Sequence, residues 1–268
     1  MDLRKLLEQV AEITKASARC MERDFTTTEK GSHINFVTSA DIAVQKYLEE
    51  NLLALIPGSA FFGEEGLGKV KSAEYLWVVD PIDGTINFAR GISECAISVG
   101  LAHKEQVILG VIYIPYKDEL YTAALGMGAY MNGKRIQTSQ RDFPNSLFCT
   151  ALSLYNRDYA EKCLDIMREV YAGCVDIRRS GSCAVDLCYL SRGVCELFFE
   201  FRTFPWDFAA GVILLREAGG VITDLDGVDM KLDRACPIIA ANNEENHKKL
   251  LKIVKKHIQT LPYKEVLR

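Results

Sequence analysis

The stretch Leu76–Phe88, reading LWVVDPIDGTINF, constrains this chain more than any other. Leu76, Trp77, Val78 and Val79 form a short apolar run of the kind that makes a buried strand. Asp80 closes the run, and Pro81 has no N–H to offer a neighbouring strand, so the ladder is expected to stop there. Asp83 comes three residues later, then Gly84 and Thr85, with Asn87 and Phe88 completing the stretch. Pro, Asp and Gly are all turn formers, and a plain β-turn is the simplest reading. The alternative is chemical. Two carboxylates at a strand end, beside a loop able to aim backbone N–H groups at an anion, suit a divalent cation holding a phosphate. Hard cations such as Mg²⁺ take oxygen ligands and usually share them between one or two carboxylates and substrate phosphate.

The rest of the chain has to decide between these readings. Its 268 residues are enough for a sizeable core, in one large domain or two ordinary ones. A net charge of −4 implies no basic surface for nucleic acid. The apolar run Phe208–Leu215 ends at Arg216, far short of the roughly 20 residues that span a bilayer. The opening MDLRKLLEQV carries acids and no apolar secretory core, so no signal peptide is expected. Nine cysteines without a CxxC pair argue for reduced thiols in a cytoplasm. Cys183, Cys188 and Cys195 lack the spacing of a structural zinc site, which leaves them as core residues.

Leu3, Leu6, Leu7, Val10 and Ile13 recur at helical spacing, predicting an amphipathic helix over the first ~20 residues. Polar residues from Arg23 to His33 read as an exposed, mobile loop. A helix is expected from Ser39 to Pro57-Gly58, with Val44, Leu48, Leu52 and Leu55 on one side and Thr38 positioned to cap it. Asp41 then reads simplest as a first-turn acid favoured by the helix dipole. A short strand, Ala60–Gly63, delivers Glu64-Glu65. The segments Ala96–Leu101, Val107–Pro115 and Glu119–Ala124 read as strands, and Asn132-Gly133 as a hairpin turn. Through about residue 140 this is an α+β pattern of helices on a mainly antiparallel sheet.

After Arg141 strands and helices alternate, which indicates an α/β half over 141–268. The expected strands are Phe148–Leu152, Val175–Arg179, Cys195–Phe201, Val221–Asp224 and Ile238–Ala240. The expected helices are Asp158–Tyr171, Cys183–Leu190, Asp207–Ala218 and Glu244–Ile258. Asp207 stands where an acidic cap is ordinary, Glu200 where a charge can simply emerge at a sheet edge. Gly181-Ser182 could cradle an anion or a hydroxyl before a helix, or be only a flexible turn. Asp224, Asp226 and Asp229 lack the spacing and terminal Glu of a calcium loop.

Taken together, GEE at Gly63–Glu65, WVVDPIDGTINF at Trp77–Phe88, and WDFAAG with EAGG at Trp206–Gly220 resemble the inositol monophosphatase family, Mg²⁺-dependent and lithium-sensitive phosphatases. The resemblance covers nearly the whole chain. It implies a layered αβαβα sandwich of the fructose-1,6-bisphosphatase-like, sugar-phosphatase type, usually a homodimer. It implies that Glu64, Asp80 and the Ile82 carbonyl hold a first Mg²⁺, and Asp80, Asp83 and Asp207 a second, with Glu64 helping to retain a third. It pairs Asp41 and Thr85 near the attacking water, which reverses the simple capping reading of Asp41. The amides of Gly84 and Thr85 would receive the phosphate, while Gly181, Ser182, Cys183 and Glu200 would meet the substrate's hydroxyls. The family more often has a small Ala-like residue at Cys183. Residues Glu29–His33, with Lys30, correspond to a flap over the metal site.

The chemistry agrees with the resemblance: clustered cations neutralise a phosphate monoester and activate water, and no protein nucleophile is evident. The implied partner is a small phosphorylated polyol or sugar, with inositol monophosphate favoured by Ile86-Asn87-Phe88 after DGT. Fructose-1,6-bisphosphate, or a broad range of sugar phosphates, is the alternative, since Arg90, Arg178, Arg179 and Arg202 lie near site motifs; surface arginines are the simpler reading of each. A regulatory binding protein on the same fold is the alternative of another class, and the complete set of metal ligands argues against it.

Overall fold

The computed structural model describes residues 2–22, 24–32, 35–65, 73–152 and 157–258. Helix α1 spans Leu3–Ser17, capped by the Asp2 carboxylate, and a 3₁₀ turn follows. Strands β1 (Thr27–Ser32) and β2 (Asn35–Thr38) pair as an antiparallel hairpin. The expected loop is therefore partly a strand: Thr26-Thr27-Thr28 is polar, but β-branched residues favour extended backbone. Arg23, His33 and the Lys30 side chain lie outside the described residues. Helix α2 (Ser39–Leu55) begins at a capping box of Thr38 and Asp41, as the sequence predicts.

A seven-stranded sheet then forms from β3 (Ala60–Gly63), β4 (Tyr75–Asp83), β5 (Ala96–His103), β6 (Gln106–Ile114), β7 (Glu119–Ala124), β8 (Ala129–Met131) and β9 (Lys134–Ile136), in that order. The short helix α3 (Thr85–Arg90) interrupts it after β4. Only β3 and β4 run parallel; every other pair is antiparallel. Asn132 and Gly133 both have positive φ in the β8–β9 turn, as Asn-Gly predicts. Strand β4 outruns its expected end at Asp80. Pro81 opens a bulge, and pairing resumes at Asp83 opposite Ala96.

A five-stranded sheet has the order β11 (Asp176–Arg178), β10 (Leu147–Thr150), β12 (Leu197–Thr203), β14 (Cys236–Ala241) and β13 (Val221–Thr223). It is mixed: β10 runs parallel to β11 and β12, whereas β14 runs antiparallel to β12 and β13. The helices are α4 (Ala160–Tyr171), α5 (Cys183–Ser191), α6 (Pro205–Glu217) and α7 (Glu244–His257).

Side-chain alternation along the strands stacks these elements into five layers. Trp77 and Val79 face α1 and α2, alongside Leu6, Val10, Val44 and Leu48. Val78 faces the other way, toward α5, α6 and the inner face of the second sheet, where Phe198, Ile238 and Ala240 lie. Phe199, Ile239 and Ala241 point outward to Ile166 of α4 and Leu250 of α7. The result is an αβαβα sandwich whose middle layer, α5 and α6, is apolar on nearly every side. No helix among the described residues is long and apolar enough to cross a membrane.

Helix α6 lies directly on the backbone of the first sheet because Gly100 and Gly110 face each other across β5 and β6. A Cβ on Gly110 would stand 2.6 Å from the Ala210 carbonyl oxygen and 2.6 Å from Ile213 Cγ2. Gly110→Ala should therefore destabilise the chain by about 1–3 kcal/mol, lowering the midpoint of urea denaturation, because the contact is with backbone that cannot yield.

Candidate active site

The sequence-predicted acids come together where β4, the turn into α3, and the N-termini of α2, α5 and α6 meet. Asp80 is buried at the bulge, its Oδ1 accepting the Ile82 N–H at 3.0 Å. Burial first, and then the charges of Glu64, Asp83, Asp207 and Asp41, push its carboxyl well above the usual range. Glu64 follows β3, its backbone N–H donating to the Val79 carbonyl at 3.2 Å.

Asp83 reaches across to the second half of the chain. Its Oδ2 accepts the Ser182 hydroxyl at 2.7 Å and the Ala184 N–H at 2.6 Å, at the start of α5. Burial raises it to about 6, against the opposing pull of hydrogen bonds from Ala184, Ser182 and the Gly84 N–H. The Gly84 amide is thus turned toward Asp83. Asp207 sits in the first turn of α6, with Oδ2 accepting the Phe204 N–H at 2.7 Å while its own N–H donates to the Phe204 carbonyl at 3.0 Å. Burial, followed by the charge of Asp83, raises it well above the ordinary value.

Thr85 and Asp41 adjoin. The Thr85 hydroxyl lies 3.3 Å from Asp41 Oδ1 and 3.1 Å from the Ile82 carbonyl oxygen, and can donate to either. Asp41 Oδ2 is held by the Thr38 N–H at 2.8 Å and by the Thr38 hydroxyl. Asp41 is therefore both the helix cap and a neighbour of the acid cluster, so its two readings are compatible.

Gly181 and Ser182 lead into α5, whose first residue is Cys183. Cys183 is buried, and burial followed by the charges of Glu200, Asp83, Asp207 and Asp186 raises its thiol well above the ordinary value. Burial and the charge of Asp83 raise Glu200 to about 8, with Arg179 opposing. The acids thus form one continuous cluster from Asp41 and Glu64 to Glu200. The other arginines are differently engaged: Arg178 is paired with Asp176 at the surface, and Arg202 lies over the Phe204 ring, 5.0 Å from its centroid.

The donor chemistry fits a hard cation, since every first-rank candidate is an oxygen: Glu64, Asp80, Asp83, Asp207 and the Ile82 carbonyl. As they stand, no three Asp, Glu, His or Cys side chains among the described residues form a group that could hold a metal ion. Asp80 Oδ1, Asp83 Oδ2 and Asp207 Oδ2 already accept backbone hydrogen bonds.

A model of the inositol monophosphatase family matches residues 3–259. The chain belongs to the inositol monophosphatase family. It is 35% identical over 259 residues to an inositol-1-monophosphatase of Mesorhizobium japonicum, spanning 94% of this chain and 96% of that one. It is 34% identical to a fructose-1,6-bisphosphatase/inositol-1-monophosphatase of Aquifex aeolicus, spanning 96% and 98%. The solved structure of the extragenic suppressor protein suhB of Bartonella henselae superposes with a TM-score of 0.85 at 31% identity, over 95% of this chain and all of that one.

Two residues beside the acid cluster escape a motif-based reading. Gln45, one helical turn beyond Asp41 on α2, accepts the Glu65 N–H at 2.8 Å through Oε1 and donates to the Glu65 carbonyl. It therefore clamps the turn that carries Glu64; the i,i+4 spacing from Asp41 is the signal that could have found it. Asp186, on α5 behind the Ser180–Cys183 loop, is 2% exposed with Oδ1 unpartnered, and burial raises it to about 7.

Glu200 and Asp186 have folded-state values above their ordinary 4.5 and 3.8, so the folded chain holds protons that the unfolded chain has lost. Their contribution to stability is complete below the unfolded values and disappears as pH rises through about 7 and 8. With divalent cations chelated, the urea midpoint should fall from pH 5 to pH 8.5, and Glu200→Gln should flatten the slope. A midpoint that rises over this range would contradict the assignment.

Proposed function

We propose that the chain is a Mg²⁺-dependent phosphomonoesterase that hydrolyses inositol monophosphate, or a similar polyol or sugar phosphate, to the alcohol and inorganic phosphate. The observation that carries this reading is the gathering of Asp80, Asp83, Asp207 and Glu64, each raising the cost of ionising another, beside the Asp41–Thr85 pair. Buried like charges are unfavourable without a counter-ion, and oxygen donors in this number suit Mg²⁺. Glu64, Asp80 and the Ile82 carbonyl would hold one ion, and Asp80, Asp83 and Asp207 another, with Glu64 assisting a third. When bound, the ions neutralise the phosphate and lower the pKa of an attacking water.

The chain's own groups supply the rest. Thr85 Oγ1 can accept a hydrogen bond from a water while donating to Asp41 Oδ1, giving the water's proton a route to a carboxylate. The Thr85 amide, at the start of α3, faces the phosphate side of the turn in this reading. Ser182, Cys183 and Glu200 line the alcohol side, where a partly protonated Glu200 can donate to or accept from a hydroxyl.

The Aquifex relative's name gives specific support to a second substrate, fructose-1,6-bisphosphate. Here Arg179, whose charge opposes the rise in the Glu200 pKa, is the arginine best situated to meet a second phosphate.

Phosphate release from myo-inositol 1-phosphate and from fructose-1,6-bisphosphate tests both readings. Turnover of the inositol ester should require Mg²⁺, and Asp83→Asn should reduce it by more than the roughly 10- to 100-fold typical of outer-shell changes. Preference for the bisphosphate, lost in Arg179→Ala, would select the second reading. Release from neither ester would leave a binding role on this fold ahead.

The metal reading also has a readout independent of turnover. Free Mg²⁺ at about 100-fold above its Kd should add about 2.7 kcal/mol of stability by linkage, seen as a higher thermal midpoint. Asp207→Asn should remove most of that gain. No shift at millimolar Mg²⁺ would count against the site.

A further inference from the structure

We infer that Asn87 is a positioning residue that sets the distance between the phosphate end of the site and the loop that recognises the alcohol; this rests on the functional reading above. Asn87 is a buried polar residue on α3, two positions after Thr85. Its Nδ2 donates to the Glu94 carbonyl at 2.5 Å, within the first half, and to the Ser180 carbonyl at 2.8 Å, across the junction with the second. One amide group therefore spends both protons joining the two stretches that flank the acids.

The packing around this group leaves no slack. A Cβ on Gly181 would stand 3.1 Å from Asn87 Nδ2 and 3.2 Å from Oδ1, so the Ser180–Cys183 loop lies directly on the amide. A Cβ on Gly84 would stand 3.0 Å from the Glu94 carbonyl and 3.3 Å from Ser182 Cβ, so the turn before α3 presses on the same loop. Phe88, next in the chain, is buried with Ala40, Ile82 and Cys95, which fixes the roll of α3 and hence the direction of Asn87.

The Ser182 N–H and hydroxyl are tied to Ser180 Oγ and Asp83 Oδ2, respectively. A shift at Ser180 would be passed to the hydroxyl-recognising atoms beyond it. Displacements of about 1 Å at such positions can change rates by as much as 100-fold. An ester whose leaving group has no hydroxyls has nothing for that loop to read, so Asn87 should act on selectivity.

The test compares the full chain with Asn87→Asp and Asn87→Ala, in Mg²⁺, on myo-inositol 1-phosphate and p-nitrophenyl phosphate. Asn87→Asp keeps the shape but turns a carboxylate oxygen toward two carbonyls; Asn87→Ala only removes the two donors. For both variants kcat/KM for the inositol ester should fall at least about ten-fold, mainly through KM, while that for p-nitrophenyl phosphate changes less than about three-fold. Equal losses on both esters, or no loss on either, would overturn the inference. If the wild-type chain hydrolyses neither ester, the functional reading has failed, and amide hydrogen exchange tests the positioning separately. Asn87→Ala should then speed exchange at Ser182 and Ala184 by about ten-fold or more and leave β5 and β6 unchanged. Uniform acceleration, no acceleration, or failure of both variants to fold would overturn it.

Discussion

The hydrogen bonds from Ser182 and Ala184 to Asp83 tie the first sheet to the middle helical layer at the site. A carboxylate from the end of β4 satisfies donors at the start of α5, which belongs to the other half of the chain. An acid there is favoured because the first turn of a helix has unpaired N–H groups and a positive dipole end. The middle helical layer sets the distance. Gly100 and Gly110 let α6 approach the first sheet, and the same layer covers Phe198 and Ile238 of the second.

Concentrating acids at this junction has an electrostatic consequence. Asp80, Asp83, Asp207 and Glu200 each rise above their ordinary range, with burial the largest cause in every case. A core of Leu and Val in the same place would fold more readily, so the arrangement conflicts with local stability. Conflicts of this kind cluster at functional sites. Each of Asp41, Asp83 and Asp207 also has a structural role as a cap or bridge, which explains how simple capping readings and chemical ones fit the same residues.

Much of the fold was legible along the chain because its layers impose clean periods. Trp77, Val78 and Val79 alternate between two hydrophobic layers, and α1 repeats its apolar residues at helical spacing. The hairpin at Asn132-Gly133 and the capping box at Thr38 were legible from local chemistry alone. The β1–β2 hairpin was not, because Thr-rich polar strands lack an apolar face to mark them. The continuation of β4 past Pro81 was also hidden, since a bulge lets the ladder resume at Asp83 without an N–H from Pro81.

By itself the sequence determined most element types, the β1–β2 hairpin excepted, and the short motifs that mark the family, because these rest on periodicity and on short stretches with little freedom of conformation. Only the tertiary structure decided which oxygens of those acids are already engaged, that the Gly84 amide turns to Asp83, and that Gln45 and Asn87 hold the turns on either side. The physical reason is range. A cap or a hairpin is a contact within a few residues, whereas the Asp83–Ala184 and Asn87–Ser180 bonds join positions 101 and 93 residues apart. Their geometry exists only once both sheets have closed on the helices between them.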